Sequence, residues 1–123
     1  MNFPEKRLYH QIHPIKLSID IGTAIFTLYL FWLHYFLMAL ILHIFLPVIG
    51  SFLVISFFDL KKQKQSKFGR YIRKYMTGSV ETIRLLGDIV TVFGAWYHNW
   101  IIIFLGIIII LAAWLNGKIQ RIL

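Results

Sequence analysis

Two pairs of oppositely charged side chains lie within, or at the edge of, long apolar segments. Lys16 and Asp20 are four residues apart. Arg84 and Asp88 have the same spacing. Residues four apart share one helix face, where a basic and an acidic side chain can reach each other. Because an ionisable side chain is costly in hydrocarbon, its presence in a membrane segment marks a candidate functional site. The pairs therefore predict an intramembrane charged site, which points into a helix bundle.

The two pairs occupy equivalent positions in an internal repeat. Residues 13–23 align without gaps on residues 81–91. The matched polar positions are Lys16 with Arg84, Asp20 with Asp88, and Thr23 with Thr91. Each copy then leads to a Trp-x-His motif, at residues 32–34 and 96–98. The chain has only three Asp and four Trp residues, so these matches carry more weight than the matched Ile and Leu residues.

Further polar residues extend the two charged faces. His13 lies seven residues before Asp20, and Glu81 lies seven before Asp88, which keeps each on the same helix face. In the other direction, Thr23 and Thr27 continue the first face and Thr91 continues the second. The sequence thus predicts one site built from Lys16, Asp20, Glu81, Arg84 and Asp88, supported by His13, Thr23 and Thr91.

This site has three interpretations. In the first, the two Asp residues take up protons or cations beside their basic neighbours. In the second, Lys16 and Arg84 hold a phosphate or carboxylate, and the acids orient them. In the third, each pair is structural and joins the helices, as polar side chains do in membranes.

No metal or cofactor is expected. His13, Asp20, Glu81 and Asp88 offer ligand types that zinc or iron accept. However, a di-iron site in a helical bundle uses Glu-x-x-His pairs, and the sequence contains none. The repeated histidines of the Trp-x-His motifs fall at the ends of the apolar segments, where they could not sandwich a haem. The absence of cysteine excludes disulfides and Fe–S clusters.

One histidine lies well inside an apolar segment. His43 precedes Pro47 by one helical turn. The proline ring removes the hydrogen bond to the His43 carbonyl, which predicts a kink at this point. We expect the His43 side chain to form a hydrogen bond with a neighbouring helix.

The composition indicates which elements position these residues. Of the 123 residues, 59% are hydrophobic and 15% are charged, which is too apolar for a soluble domain of this size. The apolar segments predict an all-α integral membrane protein with four transmembrane helices, at about residues 14–32, 36–58, 79–97 and 99–116. Very short links at 33–35 and 98 make two tandem hairpins, which form a parallel internal repeat.

Basic residues predict the orientation of the hairpins. Lys and Arg are concentrated before residue 17, between residues 61 and 74, and after residue 117, whereas the two short links contain none. The positive-inside rule then places both termini in the cytoplasm, in a plasma, inner or equivalent membrane. The predicted divisions are a cytoplasmic N-terminal segment (1–13), a first hairpin (14–58), a basic cytoplasmic segment (59–78), a second hairpin (79–116) and a cytoplasmic tail (117–123).

The basic segment predicts a helix on the membrane surface. Aromatic and aliphatic residues recur at helical spacing: Phe68, Tyr71, Ile72, Tyr75 and Met76. The other face is basic: Lys67, Arg70, Arg73 and Lys74. Such a helix lies on an anionic leaflet. We attribute the net charge of +8 to topology and lipid contact, and expect no nucleic-acid partner.

Three functions fit these features. The first is transport or conduction of an ion or small solute by a homo-oligomer, because four short helices enclose little volume. The second is a non-catalytic accessory or lipid-binding subunit of a larger membrane complex. The third is an enzyme that acts on a lipid headgroup. The sequence has no nucleophile–base motif and no phosphate-binding loop, which makes an enzyme the least expected of the three.

Overall fold

The chain folds into helices joined by short turns. The computed structural model describes residues 2–122, with side chains as far as Gln120; it is 86% helical, and the described residues contain no strand. The helices are α1 (Phe3–His10), α2 (Pro14–Trp32), α3 (Phe36–Phe57), α4 (Lys61–Gln65), α5 (Lys67–Tyr75), α6 (Gly78–Trp96), α7 (Trp100–Trp114) and α8 (Asn116–Ile122). The N-terminal segment predicted at 1–13 and the tail predicted at 117–123 are thus helical over most of their length. Met1 and Leu123 lie outside the described residues.

Local side-chain caps set where the long helices begin. The His13 ring accepts a hydrogen bond from the Ile15 N–H at the start of α2. Thr77 caps α6 in the same way, and the Asn99 side chain accepts from two N–H groups at the start of α7. These polar atoms satisfy N–H groups that a helix leaves free in its first turn.

Two helices are long and apolar enough to cross a membrane: α2 and α3. The third apolar helix, α7, is shorter. Large apolar side chains point away from the protein on all three, with Ile25 68% exposed on α2, Leu37 69% on α3 and Ile101 80% on α7. The helices therefore present apolar outer surfaces, whereas their polar side chains lie largely between them.

The two hairpins pack in different ways. In the α6–α7 hairpin, a Cβ added at Gly94 would lie 2.6 Å from the backbone nitrogen of Ile103, so the two backbones are in close contact. In the α2–α3 hairpin, a Cβ added at Gly50 would meet only the side chain of Ile19, at 3.0 Å. The second hairpin is therefore closed by glycines, and the first by side chains.

The buried core has two parts. We call the end that holds the two hairpin turns the turn end, and the opposite end, which holds α1, α4, α5 and α8, the termini end. The turn-end cluster contains Leu30, Phe31, Ala39, Ala95 and Ile103. The termini-end cluster contains Tyr9, Ile12, Val54, Leu60, Ile72, Met76, Val80 and Ala113. The polar residues of interest lie along the helices between these clusters and beside the termini-end cluster.

Candidate functional site

The first charged pair forms within α2. The Lys16 ammonium donates a hydrogen bond to the Asp20 carboxylate. Lys16 is buried at 5% exposure, whereas the Asp20 side chain remains 40% exposed. The acid therefore neutralises a buried cation and still reaches the surface of the protein.

The second pair does not form, which differs from the expectation for α6. Among the described residues no ion pair joins Arg84 to Asp88. Arg84 instead donates to the Gln11 side-chain oxygen at 2.8 Å, and its guanidinium lies 4.5 Å from the centre of the Trp114 ring. The physical reason is the position of the partners: Gln11 and Trp114 lie at the termini end, and Asp88 has a histidine partner farther along the helix.

That partner is His43. Its Nε2 atom lies 2.7 Å from Asp88 Oδ2, which links α3 to α6. Its Nδ1 atom lies 2.8 Å from Thr27 Oγ1, which links α3 to α2. Thr27 is fully buried, and the His43 side chain is 15% exposed, with the Phe31 ring packed edge-on against the imidazole. We call Thr27, His43 and Asp88 the three-helix network.

The hydroxyl of Thr27 gives this network two satisfied states. Thr27 Oγ1 also lies 2.7 Å from the Thr23 carbonyl oxygen, which can only accept. When the hydroxyl donates to that carbonyl, His43 Nδ1–H donates to Thr27, and the contact between His43 and Asp88 holds a second proton. When the hydroxyl turns to donate to Nδ1, one proton, on Nε2, completes the network. The two states differ by one bound proton.

Glu81 belongs to a separate network at the termini end. Arg7 of α1 lies 3.3 Å from the Glu81 carboxylate, and the Gln11 amide donates to it at 3.2 Å. Because Gln11 also accepts from Arg84, it connects the two α6 side chains through the N-terminal segment. Glu81 and Arg84 thus hold α1 against α6, and the structure does not bring them to His43.

A second α1 contact reaches α3. His10 Nδ1 lies against the Arg7 carbonyl, and its Nε2 lies 3.1 Å from the Ser51 hydroxyl. Burial lowers the pKa of His10 below its ordinary value, because the charged imidazolium loses hydration there. His10 therefore sits as a neutral ring that donates to a carbonyl and accepts from a hydroxyl.

The Trp-x-His motifs meet at the turn end in a reciprocal contact. His34 Nε2–H donates to the Trp96 carbonyl at 2.7 Å, and His98 Nε2–H donates to the Trp32 carbonyl at 2.5 Å. Each imidazole stacks on the tryptophan of the other motif, and the two imidazoles stack on each other. Both histidines have positive φ, 65° and 53°. Reciprocal contacts of this kind are what a two-fold relation between the hairpins produces.

The remaining site residues have local roles. The Thr91 hydroxyl donates to the Gly87 carbonyl within α6, and the Thr23 carbonyl oxygen lies within hydrogen-bond distance of the Thr27 hydroxyl. His13 caps α2, and its ring lies at a tilted angle against Phe58, away from the three-helix network. Pro47 lies inside α3, which continues through it from Phe36 to Phe57.

The basic residues predicted to face lipid lie on α5. Lys67, Arg70 and Lys74 line one groove together with Lys118 of α8. Arg73 lines a separate depression with Lys61 and Lys64 of α4.

No three His, Asp or Glu side chains within residues 2–120 are grouped closely enough to bind a metal ion. No protein-family model matches the chain, and no curated protein or solved structure shows significant similarity to it.

Gln11 is a residue that the sequence did not single out. Thr27 lies on the predicted polar face of α2, one helical turn after Thr23, but its contact with His43 was not predicted. The role of Gln11 depends on α1. The sequence does carry a helix-start signal there, because Asn2 precedes Pro4 and Glu5, and the Asn2 side chain accepts from the Glu5 N–H at 3.0 Å.

Proposed function

We propose that the chain is an integral membrane protein in which α2, α3, α6 and α7 each cross the bilayer, with both termini on the cytoplasmic side. The exposed apolar surfaces of α2, α3 and α7 support this placement. In α6, which has the same 19-residue length as α2, the charged side chains Glu81 and Asp88 have partners on other helices. Basic residues gather at the termini end, as the positive-inside rule requires of a cytoplasmic face.

We further propose that the protein moves protons across this membrane, alone or coupled to an ion or small solute, as a homo-oligomer. One observation carries the proposal: both ring nitrogens of His43 have partners, and the Thr27 hydroxyl can either accept from Nδ1 or donate to it, so His43 keeps both hydrogen bonds with and without an additional proton. A buried polar group that loses its partner costs about 1–3 kcal/mol. A network that avoids this cost in both states can gain and release a proton without opening the bundle.

The surroundings of the network favour this role. Asp88 is 35% exposed at its side chain, so it opens onto the outer surface of the bundle, where a neighbouring protomer of the homo-oligomer can complete a path for the proton. The other charged side chains of these helices are Glu81 and Arg84 of α6, both nearer the termini end, and the Lys16–Asp20 pair of α2; α7 contributes none. Because four helices leave little internal space, we place any solute path between protomers.

Proton flux into proteoliposomes tests the proposal. A potassium gradient with valinomycin would drive protons inward, and a pH-sensitive dye inside the vesicles would report them. We expect flux from the wild-type protein and at least a tenfold loss in Asp88→Asn. Asp59→Asn is the matched control, because Asp59 lies outside the four helices and is exposed. Equal flux from Asp88→Asn and the wild type would refute the role of the network.

The second candidate is an accessory subunit of a larger membrane complex. The observation in its favour is the surface of α7, where Ile101, Phe104 and Ile108 are 80%, 57% and 61% exposed and the helix has no charged residue. Purification from native membranes in a mild detergent separates the two functions. A stoichiometric partner that is a different protein favours the subunit, whereas a symmetric complex of this chain alone favours transport.

A further inference from the structure

The groove at the termini end has a charged rim and an aromatic floor. It has a volume of about 800 Å³ and lies between α5, the last turn of α7 and α8. Four cations, Lys67, Arg70, Lys74 and Lys118, line it together with the rings of Phe68 and Trp114. Within the part of the chain that the structure describes, no Asp or Glu lines it. The groove therefore offers an uncompensated positive charge beside an apolar surface.

The groove is a built feature, because specific contacts fix its walls. The Tyr71 hydroxyl donates to the Trp114 carbonyl at 2.7 Å and accepts from the Gly117 N–H at 2.9 Å, which joins α5 to both α7 and α8. Phe68 packs edge-on against Trp114, with ring centres 6.0 Å apart. A Cβ added at Gly117 would lie 2.3 Å from the Tyr75 ring, so only glycine lets α8 approach this closely.

Both glutamates of the chain have partners outside the groove. Glu5 forms an ion pair with Lys64, and the hydrogen bond from that ammonium lowers the pKa of the Glu5 carboxyl. Glu81 binds Arg7. Since no described acid lines the groove, a ligand that neutralises the rim is an anion.

The exposed apolar side chains beside the groove indicate that the ligand also has an apolar part. The groove opens beside the exposed apolar side chains of α7, where Leu111 is 52% exposed and Leu115, which lines the groove, is 46% exposed. An acidic peptide would satisfy the rim but not this continuing apolar surface. A phosphate with an attached acyl chain satisfies both.

We propose that this groove binds one anionic phospholipid, with its phosphate among Lys67, Arg70, Lys74 and Lys118 and an acyl chain on Phe68, Trp114 and the outer surface of α7. The inference rests on the proposed membrane placement and is independent of proton movement. A bound lipid would also hold α5 and α8 together, since its phosphate contacts cations from both helices.

Native mass spectrometry of the full-length protein in detergent tests the site. The probes are dioleoyl-phosphatidylglycerol and dioleoyl-phosphatidylcholine, which have the same acyl chains and differ in charge. We expect one phosphatidylglycerol per protomer at concentrations where phosphatidylcholine does not bind. Since each basic residue near a membrane surface strengthens binding to anionic lipid, the triple variant Lys67→Gln/Lys74→Gln/Lys118→Gln should lower the affinity at least about tenfold.

The matched control removes the same charge at the same end of the protein. Lys6→Gln/Lys61→Gln/Lys62→Gln changes three lysines that do not line the groove, and its affinity should stay within about twofold of the wild type. Equal losses in the two triple variants would show diffuse charge attraction and overturn the site. Equal binding of the two lipids would also overturn it.

Two further outcomes concern the occupant. If millimolar inorganic phosphate displaced the phosphatidylglycerol, the groove would be a phosphate site, and the lipid assignment would be wrong. If an acidic peptide bound to the groove with higher affinity than the lipid, the apolar surface would have no role in recognition. Gly117→Ala gives a second, charge-neutral variant: it should weaken lipid binding by moving α8, while proton flux through the three-helix network stays unchanged.

Discussion

The two hairpins are alike at the turn end and different halfway along. At the turn end, His34 and His98 make the same hydrogen bond and the same stacking contact across the interface. Farther from the turns, Asp20 binds the lysine of its own helix, whereas Asp88 binds a histidine of the other hairpin. The two repeats therefore make equivalent contacts at the turn end, where these contacts hold the hairpins together. Their acidic side chains farther along the helices make different contacts.

The two acids have different partners because they lie at different distances from the turn end. Asp88 lies eight residues before Trp96, and Asp20 lies twelve residues before Trp32. At a rise of about 1.5 Å per residue, Asp88 is about 6 Å nearer the turn end. His43 lies eight residues after Tyr35, at the same depth as Asp88. Asp20 thus meets a lysine of its own helix, and Asp88 meets an imidazole of the other hairpin.

The largest expected effect contrasts the packing of the two hairpins. In Gly106→Ala, the new Cβ would lie 2.2 Å from Thr91 Oγ1 and 2.7 Å from the Gly87 carbonyl oxygen, where backbone cannot yield. We expect a loss of about 3 kcal/mol in the free energy of unfolding, measured in mixed micelles.

Gly22→Ala is the comparison in the first hairpin. Nothing lies within 4 Å of an added Cβ there, so we expect a gain of about 0.5–1 kcal/mol from helix propensity. Equal effects of the two substitutions would contradict the difference in packing.

The next effect contrasts the two acids. Asp20→Asn leaves the buried Lys16 ammonium without its counter-charge. We expect a loss of about 2 kcal/mol, below the 3–5 kcal/mol of a fully buried pair because Asp20 is 40% exposed. Asp88→Asn should cost about 1 kcal/mol or less, because neutral His43 can still donate to the amide oxygen. Unfolding in mixed micelles at neutral pH measures both. A larger loss in Asp88→Asn than in Asp20→Asn would contradict this account, in which Lys16 depends more on Asp20 than His43 depends on Asp88.

The turn end should respond symmetrically. His34→Ala and His98→Ala each remove one hydrogen bond to a carbonyl and one stacked ring, so we expect losses of about 1–2 kcal/mol that agree with each other. Both positions have positive φ, where glycine is favoured. His34→Gly and His98→Gly should therefore be less damaging than the alanine variants. Clearly unequal losses would show that the two motifs are not equivalent.

The smallest effect is a pH dependence at the termini end, where α1 contacts both hairpins. Because the pKa of folded His10 is lowered below the ordinary value of 6.5, the unfolded chain binds more protons as the pH falls. The contribution of His10 is therefore full above about pH 6.5 and is lost as the pH falls below it. Unfolding at several pH values should show a shallower decrease in His10→Gln than in the wild type. An unchanged slope would remove His10 as the cause.

The helices themselves were largely readable from the sequence. α2 begins and ends where predicted, and α3 and α6 differ from the prediction by one residue at most of their ends. α7 stops at Trp114 instead of residue 116, and a new helix starts at Asn116. Apolar runs and caps determine these boundaries, and both are local properties of the sequence. That the chain is helical is confirmed; two membrane-length helices are present, and four crossings remain a proposal.

The site was less readable, because partners depend on how helices rotate and pack. Spacing alone favoured Arg84 as the partner of Asp88, since both share a helix face. In the structure, Arg84 contacts the Gln11 side chain and the Trp114 ring, whereas Asp88 contacts the imidazole of His43. Lys16 and Asp20 form the expected contact, and no described side chain of another helix forms a hydrogen bond or ion pair with either of them.

The protonation of His43 tests the central claim most directly. We would record ¹⁵N NMR signals of the imidazole in lipid nanodiscs while lowering the pH from about 8 to about 5. The account predicts that Nε2 alone carries a proton at high pH and that one additional proton enters the His43–Asp88 contact at low pH. Thr27→Val should change the pH at which this additional proton binds. Signals that stay the same across the whole range would contradict it, because the network would then bind no proton.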